Sequence, residues 1–462
     1  MNNITFTFSD LIAGYVTGFE WERKDYFTMK TSDGRGFEVK IGDNCYAELL
    51  RNLGDAYIDC TGAIRDLLAP SRYLFVYGVF YPEATDNAFE AKHIVFLGRS
   101  ERDYSFERPD WWINQIVQLA DFYLKAQFED GNINYSNYRT HLSAGGHHEG
   151  DVRQETDTIS RLVYGFASAY LFTGDDRYLE AAEKGTEYLR AHFRCVENRE
   201  NMCYWYHAID LKGAHIRKVF ASEFGDDYDA IPAYEQIYAL AGPTQTFRIT
   251  GEPDIENDIQ MTINMFQKYF LDHKLGGYFS HIDPITFDGR AESLGRNRAR
   301  KNWNSIGDHA PAYLINAVIA TGNPEWQRML EYCADCITEH FQDYENSPFV
   351  NEKFHEDWSH DQTWGSQQNR AIVGHNLKIA WNLTRIQNMT YKKEYEIFSK
   401  RIAELMPKHG MDIQRGGWYD MVERITHNDE KWHRYVWHDR KAWCQQEQGI
   451  LAYQIMAGVH ED

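Results

Sequence analysis

The first hundred residues alternate apolar and polar positions in short runs that are rich in β-branched and aromatic residues. Runs such as ITFTF (4–8) and YLFVYGVFYP (73–82) are separated by Gly, Asp and Ser, which is the pattern of short strands. A helical pattern at YAELLRNLG (46–54) lies between three such runs and two or three more. This order is typical of the OB fold, so the sequence predicts a small all-β OB-like barrel over residues 1–104. Such barrels often bind oligonucleotides or oligosaccharides; the alternative is a domain that only braces its neighbour.

From Pro109 onward the apolar positions recur at helical spacing. TISRLVYGFASAYLFTGD (158–175) is followed directly by DRYLEAAEKGTEYLRAHF (176–193), and similar pairs recur towards the C-terminus. The turns TGD, TGE and TGN, at 173–175, 250–252 and 321–323, place Gly where a helix C-cap favours the left-handed conformation. We count ten helices between Pro109 and the last residue.

The helix pairs repeat about every 70 residues, which indicates a repeat architecture. Arg161, His309, His375 and Glu447 are taken as anchor positions of this repeat. Helical hairpins of this length stack as an open solenoid or close into a toroid. Long loops carrying GGY (276–278) and GGW (416–418) favour the second, so we predict a mainly α, (α/α)6-toroid-like helical barrel over residues 105–462.

Composition and charge exclude some classes of binding partner. The net charge of −21 disfavours nucleic acid and anionic membranes, and no apolar run approaches the ~18 residues of a membrane span. The N-terminus lacks a secretory pattern and the seven cysteines are scattered, so we expect reduced thiols in the cytoplasm. Aromatic residues make up 15% of the chain, which favours a sugar ligand because flat rings stack on sugar rings.

Two local clusters could hold a metal. Cys333 and Cys336 form a single CxxC within a helical pattern, which we interpret as packing rather than as a zinc site. HLSAGGHHEGD (141–151) is Gly-rich and has no i, i+4 spacing of its histidines, so a flexible rim loop is the preferred interpretation. We expect neither a metal nor another cofactor.

Five segments together resemble the N-acylglucosamine 2-epimerase superfamily, which includes cellobiose 2-epimerases and mannose or sulfoquinovose isomerases. They occur in the family's order across residues 109–462, and they are TISRLVYGFASAYLFTGDDRYLEAA, DHAPAYLINAVIATGNPEW, VGHNLKIAW, RGGWYDMV and KAWCQQEQGILAYQIM. The resemblance implies a sugar isomerase or epimerase with a mono- or oligosaccharide substrate and no metal. Members of this group are often dimers, so a homodimer is an expectation.

The resemblance also implies roles for single residues. Arg161 matches an arginine that contacts the sugar oxygens, and His309 matches a histidine that helps to open or hold the sugar. His375 matches the general acid/base at the carbon next to the carbonyl. Trp443 and Glu447 match residues that line the substrate cavity. The residue types suit the chemistry, because imidazole exchanges protons near neutral pH and arginine stabilises an enediolate.

Two departures from the family pattern stand out. The family has glutamate three residues after the catalytic histidine, where this chain has Lys378, which we expect to lower the pKa of His375 and to favour an anionic substrate. The family's second histidine lies on a twelfth helix, and the sequence ends after the tenth. Three explanations are open: the chain is truncated, another element replaces the last hairpin, or the activity has changed. His438 or His433 could stand in for the second histidine.

The number of bases decides between two reactions. Epimerisation at C2 normally needs bases on both faces of the sugar, whereas aldose–ketose isomerisation needs one base on one face. One evident base therefore favours isomerisation. The alternatives are a glycan hydrolase or lyase on the same toroid, using paired carboxylates among Asp157, Asp226, Asp227 and Asp308, and a non-catalytic carbohydrate-binding protein.

Overall fold

The structure is a computed structural model, and its contacts divide the chain into two compact units. The first unit contains residues 1–112, 410–419 and 440–446, and the second contains 113–409, 420–439 and 447–462. The structure describes residues 6–19, 25–32, 34–51, 55–82, 88–100, 104–128, 131–150, 152–213, 215–223, 225–362, 369–428, 430–436 and 438–460.

The first unit is built on a closed five-stranded barrel. The strands are hydrogen-bonded in the order β1-β2-β3-β5-β4, and β1 closes the barrel against β4. Only the β3–β5 pair among them is parallel. This topology confirms the OB-like prediction. The elements are β1 (Phe8–Phe19), β2 (Tyr26–Lys30), β3 (Gly36–Leu49), a short helix α1 (Ile64–Leu67), β4 (Tyr73–Phe80) and β5 (Phe89–Phe96).

Side chains alternate between the inside and the outside of the barrel along each strand, and the inward ones fill its interior. Inward side chains such as Val39, Leu74 and Ile94 are fully buried and form one apolar core. The helix predicted over 46–54 is wrong: residues 46–49 continue β3, because Ala47 and Leu49 alternate with polar-facing neighbours as a strand requires. Residues 52–54 lie outside the described part of the chain.

Two segments distant in sequence belong to the first unit. The Ala13 backbone N–H donates to the Gln414 carbonyl at 2.6 Å, and the Gln414 side chain donates to Asp10 at 2.7 Å. Lys441 forms an ion pair with Asp412 at 2.8 Å. Both segments lie within the predicted range 105–462 and are grouped with the barrel by their contacts, and the predicted boundary after residue 104 stays a prediction.

The helical part of the chain contains ten helical stretches among its described residues, as the sequence predicts. Two short π-helical segments, Phe266–Phe270 and Ala310–Leu314, extend or join them. No helix in the described residues is long and apolar enough to cross a bilayer. The helices are α2 (Trp111–Gln127), α3 (Thr156–Thr173), α4 (Asp176–His192), α5 (Ala233–Ala239) continued by α6 (Ala241–Thr250), α7 (Pro253–Met265), α8 (Trp303–Ile306) continued by α9 (Ile315–Thr321), α10 (Pro324–His340), α11 (Val373–Gln387), α12 (Lys393–His409) and α13 (Trp443–His460).

The TGD, TGE and TGN turns end helices as predicted. Gly174, Gly251 and Gly322 have φ of 70°, 66° and 63° and accept the left-handed C-cap conformation. The Asp175 and Asn323 side chains then accept backbone N–H groups at the start of the next helix. These caps fix the tight connections between α3 and α4 and between α9 and α10.

Short strands link the helix pairs into a repeat. In each of four repeats, a strand precedes the first helix and pairs with a strand that follows the second helix: β8 with β11, β13 with β14, β15 with β16 and β17 with β18. The strands of this unit are β6 (His141–Leu142), β7 (His148–Glu149), β8 (Arg153–Glu155), β9 (Arg194–Glu197), β10 (Met202–Trp205), β11 (Ala208–Lys212), β12 (His215–Val219), β13 (Ile231–Pro232), β14 (His281–Ile282), β15 (Arg300–Asn302), β16 (Lys353–His355), β17 (Arg370–Ile372) and β18 (Met421–Glu423).

One hydrogen bond recurs in every repeat and sets the register between them. The first N–H of each first helix donates to the carbonyl of the residue that precedes the returning strand. The four bonds are Thr156 to His207, Ala233 to Ser280, Trp303 to Glu352 and Val373 to Asp420, at 2.8–3.4 Å. Positions counted from these four helix starts are therefore structurally equivalent.

Candidate active site

The sixth residue counted from the start of each first helix contributes to one polar network. These residues are Arg161, Tyr238, Asp308 and Lys378. The Arg161 guanidinium lies 4.2 Å from the centre of the Tyr238 ring, the Lys378 amine lies 3.2 Å from the Tyr238 hydroxyl, and the same amine bonds to Asp308. The repeat thus brings side chains from four helices into contact. This register differs from the predicted anchors, since Asp308 and Lys378, rather than His309 and His375, are the equivalents of Arg161.

Arg161 is held at the half-exposed side of this network. Its guanidinium bonds to the Tyr234 hydroxyl and lies 3.4 Å from the Asp157 carboxylate. Burial alone would lower the pKa of Arg161, but Tyr234 and Asp157 outweigh it and hold the pKa above its ordinary value. Arg161 therefore provides a fixed positive charge, with 43% of its side chain exposed.

Lys378 is paired with a carboxylate of its own. It is 14% exposed, and its partner Asp308 is 3% exposed. Desolvation would lower the pKa of Lys378, but the Asp308 carboxylate more than offsets it and raises the pKa. The sequence predicts that Lys378 lowers the pKa of His375. That prediction does not include Asp308, which lies on a different repeat and bonds to Lys378. With Arg161 beside Asp157 and Lys378 beside Asp308, each cation of the network has a carboxylate partner.

His375 is the third residue of α11 and has a different carboxylate partner. Its Nδ1 lies 2.8 Å from Oε2 of Glu352, the residue before β16. The glutamate side chain is 5% exposed and the imidazole is 28% exposed. Trp303 lies against the imidazole with the ring centres 6.1 Å apart. A carboxylate oxygen accepts hydrogen bonds, so in this contact Nδ1 of His375 is the donor, and Nε2 is the ring nitrogen that Glu352 does not engage.

His309 is completely buried. Its ring packs against Phe266, Tyr278 and Tyr313, with ring centres at 4.6, 5.2 and 5.7 Å, and its Nδ1 lies 3.0 Å from the Tyr313 hydroxyl. Burial lowers the pKa of His309 to about 3, so it stays neutral at ordinary pH. This geometry gives the ring no exposed edge, and its predicted role in handling the sugar stays a prediction.

The buried imidazole makes stability depend on pH. Because the pKa of His309 falls from 6.5 in the unfolded chain to about 3 in the folded one, its contribution is complete above pH 6.5 and is lost as the pH falls towards 3. The loss is about 1.4 kcal/mol for each pH unit in that window. We expect urea unfolding from pH 7.5 to 5 to show a shallower pH dependence for His309→Gln than for wild type. His215→Gln, at an exposed strand position, is the control; equal slopes for wild type and His309→Gln would contradict the assignment.

The residues predicted towards the C-terminus are more exposed. Trp443 is 73% exposed and belongs to the first unit, although it starts the same helix as Glu447. Glu447 is exposed, and partial burial raises its pKa. His438 is also exposed, whereas His433 packs edge-on against Phe349 and His409 with ring centres 5.0 and 5.2 Å away. Their predicted contacts with a sugar stay predictions.

A second imidazole–carboxylate pair was missed by the sequence reasoning. His207 Nδ1 lies 2.7 Å from Glu235 Oε1. His207 is equivalent to Glu352 and Glu235 to His375, so the acid and the imidazole have exchanged places between two repeats. Burial would lower the pKa of His207, but Glu235 outweighs it and the pKa is raised. No motif in the sequence marks this pair, because YH (206–207) and NE (351–352) share no residue type and only the backbone hydrogen bonds align them.

The two clusters considered for metals have structural explanations. Residues 141–149 form the β6–β7 hairpin, while Asp151 lies outside the described residues. Cys333 and Cys336 are buried on α10, and burial raises the pKa of both thiols. In the ranges that the structure describes, no three His, Cys, Asp or Glu side chains converge as a metal site would require.

Comparison with known proteins identifies the family. Residues 138–459 match the N-acylglucosamine 2-epimerase (GlcNAc 2-epimerase) family. The chain belongs to this family. This N-acylglucosamine 2-epimerase family member is 24% identical over 266 residues to a D-mannose isomerase of Marinomonas mediterranea. The aligned residues make up 56% of this chain and 60% of the relative.

Solved structures give the fold of this family member. A D-mannose isomerase crystal structure superposes with a TM-score of 0.59 at 18% identity, covering 76% of this chain and 81% of the other. A cellobiose 2-epimerase from Bacillus thermoamylovorans gives a TM-score of 0.58 at 14% identity, covering 76% and 83%. The (α/α)6-toroid-like prediction is confirmed at the level of the fold.

Proposed function

We propose that this chain is a sugar isomerase that moves a proton between C1 and C2 of an open-chain hexose, with His375 as the base. The observation that carries the proposal is the His375–Glu352 pair at 2.8 Å, one helical turn from the charged network around Lys378. A base, a carboxylate that orients it and a fixed positive charge are the groups that proton transfer next to a carbonyl requires.

Each group has a distinct task in the proposed reaction. Glu352 fixes the His375 tautomer, so Nε2 removes the proton from C2 of the aldose and later delivers it to C1. In the enediolate the proton of the C2 hydroxyl passes to the oxygen of C1, which leaves the ketose carbonyl at C2. The negative charge of the enediolate develops on the oxygens of C1 and C2. Arg161 offers N–H donors to these oxygens and keeps its own proton throughout. This division of roles needs no metal, which is part of the proposal.

A neutral hexose is the substrate that the network favours. Arg161 and Lys378 are each matched by a carboxylate, at 3.4 Å from Asp157 and in a direct bond to Asp308. An additional negative charge would therefore face two carboxylates as well as two cations. The curated relative is named a D-mannose isomerase, which supports an aldose–ketose conversion of this class.

Epimerisation at C2 is the second candidate, and the His207–Glu235 pair favours it. The pair occupies the repeat-equivalent position to Glu352–His375, so it could supply a second base on the other face of the sugar. His207 is only 4% exposed, whereas the His375 side chain is 28% exposed. The more accessible imidazole makes single-base isomerisation the preferred proposal.

Proton NMR in D2O tests the proposal. The full chain is incubated with mannose, fructose, glucose, N-acetylglucosamine and cellobiose. We expect mannose and fructose to interconvert with solvent deuterium entering at the carbon that receives the proton. Conversion between 2-epimers without ketose accumulation would favour the epimerase instead. New reducing ends without deuterium incorporation would contradict both and favour the paired carboxylates of a hydrolase, and no reaction at all would leave carbohydrate binding as the role.

A further inference from the structure

A cavity lies on the β15–β16 pair, and its lining residues lie outside the network described above. It has a volume of about 480 Å³, opens to solvent, and is lined by residues of the segments 290–300 and 355–359. Three arginines line it, namely Arg290, Arg298 and Arg300, together with His355 and Ser359. The lining also contains the carboxylates Glu356 and Asp357, so three guanidinium groups outnumber two carboxylates in a chain with a net charge of −21.

Carboxylates behind the cavity fix two of these arginines. Arg290 donates to Asp272 at 3.0 Å and to Glu356 at 2.9 Å, and Arg300 donates through Nε to Asp361 at 2.7 Å. Asp272 and Asp361 are almost fully buried. Each guanidinium has five N–H donors, so these bonds orient the group and use only part of its capacity.

Arg298 is the least neutralised of the three. Its Nε donates to the Arg290 carbonyl at 2.7 Å, and its Nη1 lies 3.9 Å from the Glu292 carboxylate. Its side chain is 51% exposed. At this distance and exposure the ion pair is weak, so the positive charge of Arg298 is available to a ligand in the cavity.

The carboxylates that line the cavity are themselves engaged. Glu356 accepts from Arg290, and Asp357 accepts from the Ser359 backbone at 3.0 Å and from its hydroxyl at 2.6 Å. The bonds from Ser359 lower the pKa of Asp357, which therefore stays ionised and holds the turn. Each carboxylate of the lining thus has one oxygen bonded to a donor of the wall, beside the oriented guanidinium groups.

The cavity wall is rigidly built. Lys301 and Asp272 form a completely buried ion pair at 3.0 Å beneath it, and the Lys301 amine lies 4.8 Å from the centre of the Trp358 ring. Trp358 stacks on His340 at 4.0 Å. Ala299 and Trp358 both have left-handed backbones, with φ of 52° and 66°, which non-glycine residues adopt only when their surroundings hold them.

We propose that this cavity is a binding site for an acidic sugar, such as a hexuronate or a sugar phosphate. Arginine forks match the paired oxygens of a carboxylate or phosphate, while His355 and Ser359 can bond to hydroxyls. The volume suits one or two sugar rings, since ligand pockets typically measure about 300–1,000 Å³. None of the lining residues belongs to the network around Lys378 or to the His375–Glu352 pair.

Isothermal titration of the full chain in low-salt, phosphate-free buffer tests this proposal. The ligands are glucuronate, glucose 6-phosphate, glucose and inorganic phosphate. We expect both acidic sugars to bind at least tenfold more tightly than glucose or inorganic phosphate. Arg298→Gln should weaken acidic-sugar binding at least tenfold. Arg328→Gln, at an exposed arginine of α10 with a 4.0 Å ion pair to Glu325, should leave it unchanged.

Three outcomes would overturn the proposal. Unaltered affinity in Arg298→Gln would place any acidic sugar elsewhere. Equally tight binding of inorganic phosphate would reduce the cavity to a simple anion site. Loss of binding in Lys378→Met but not in Arg298→Gln would assign the ligand to the network. Arg298→Lys keeps the charge but not the fork, and an intermediate affinity is expected for it; unchanged thermal unfolding of both Arg298 variants would show that they fold.

Discussion

His375→Gln should lose deuterium exchange at the reacting carbon by about 10²–10⁴-fold, the usual contribution of a general base. Glutamine preserves a polar side chain of similar size at the start of α11 but has no group that takes up a proton near neutral pH. Sugar binding should change only a few-fold, because the network around Arg161 is left in place. NMR exchange in D2O and titration with substrate measure the two effects separately.

Glu352→Gln refines this prediction. The amide has the same shape as the carboxylate but can donate as well as accept, so it no longer forces the proton onto Nδ1 of His375. Its activity should lie between those of wild type and His375→Gln. His215→Gln, at an exposed strand position, is the matched control and should be fully active. Full activity of His375→Gln would exclude it as the base and direct attention to His207 and Glu235.

The architecture could be predicted because local patterns determine it. Alternation of apolar residues defines the barrel strands, and the Gly turns at 174, 251 and 322 mark the ends of helices. The error at 46–54 arose where Tyr46–Leu49 satisfies both a short helical pattern and a strand pattern. The segment forms a strand because this places Ala47 and Leu49 in the core of the barrel.

The site could be predicted only in part, because its contacts join different repeats. His375 and Arg161 were recognisable from their motifs. Their partners were not: Glu352 lies 23 residues before His375 on another repeat, and Asp308 lies 70 residues before Lys378. From the sequence alone, Lys378 is therefore expected to interact with His375, the nearest histidine along the chain. The hydrogen bond from each first helix to the returning strand supplies the register that the sequence alone had left open.

The Lys378–Asp308 ion pair should be the most costly interaction of the network to break. Its side chains are 14% and 3% exposed, so removing one partner leaves the other as a buried charge without compensation. We expect Lys378→Met to lower the free energy of unfolding by about 3–5 kcal/mol, and Asp308→Asn to cost a similar amount. The double variant Lys378→Met/Asp308→Asn should cost clearly less than the sum of the two, since no unpaired charge remains. Urea unfolding of wild type, the two single variants and the double variant measures this double-mutant cycle.

An exposed pair provides the scale for that result. Lys184 and Glu180 form an i,i+4 ion pair at 2.6 Å on α4, with 45% and 55% of their side chains exposed. Lys184→Met should change the free energy of unfolding by less than about 1 kcal/mol, because solvent screens the pair. Strict additivity of Lys378→Met and Asp308→Asn would mean that the two charges do not depend on each other. The charge balance of the network, and with it the argument for a neutral hexose, would then have to be abandoned.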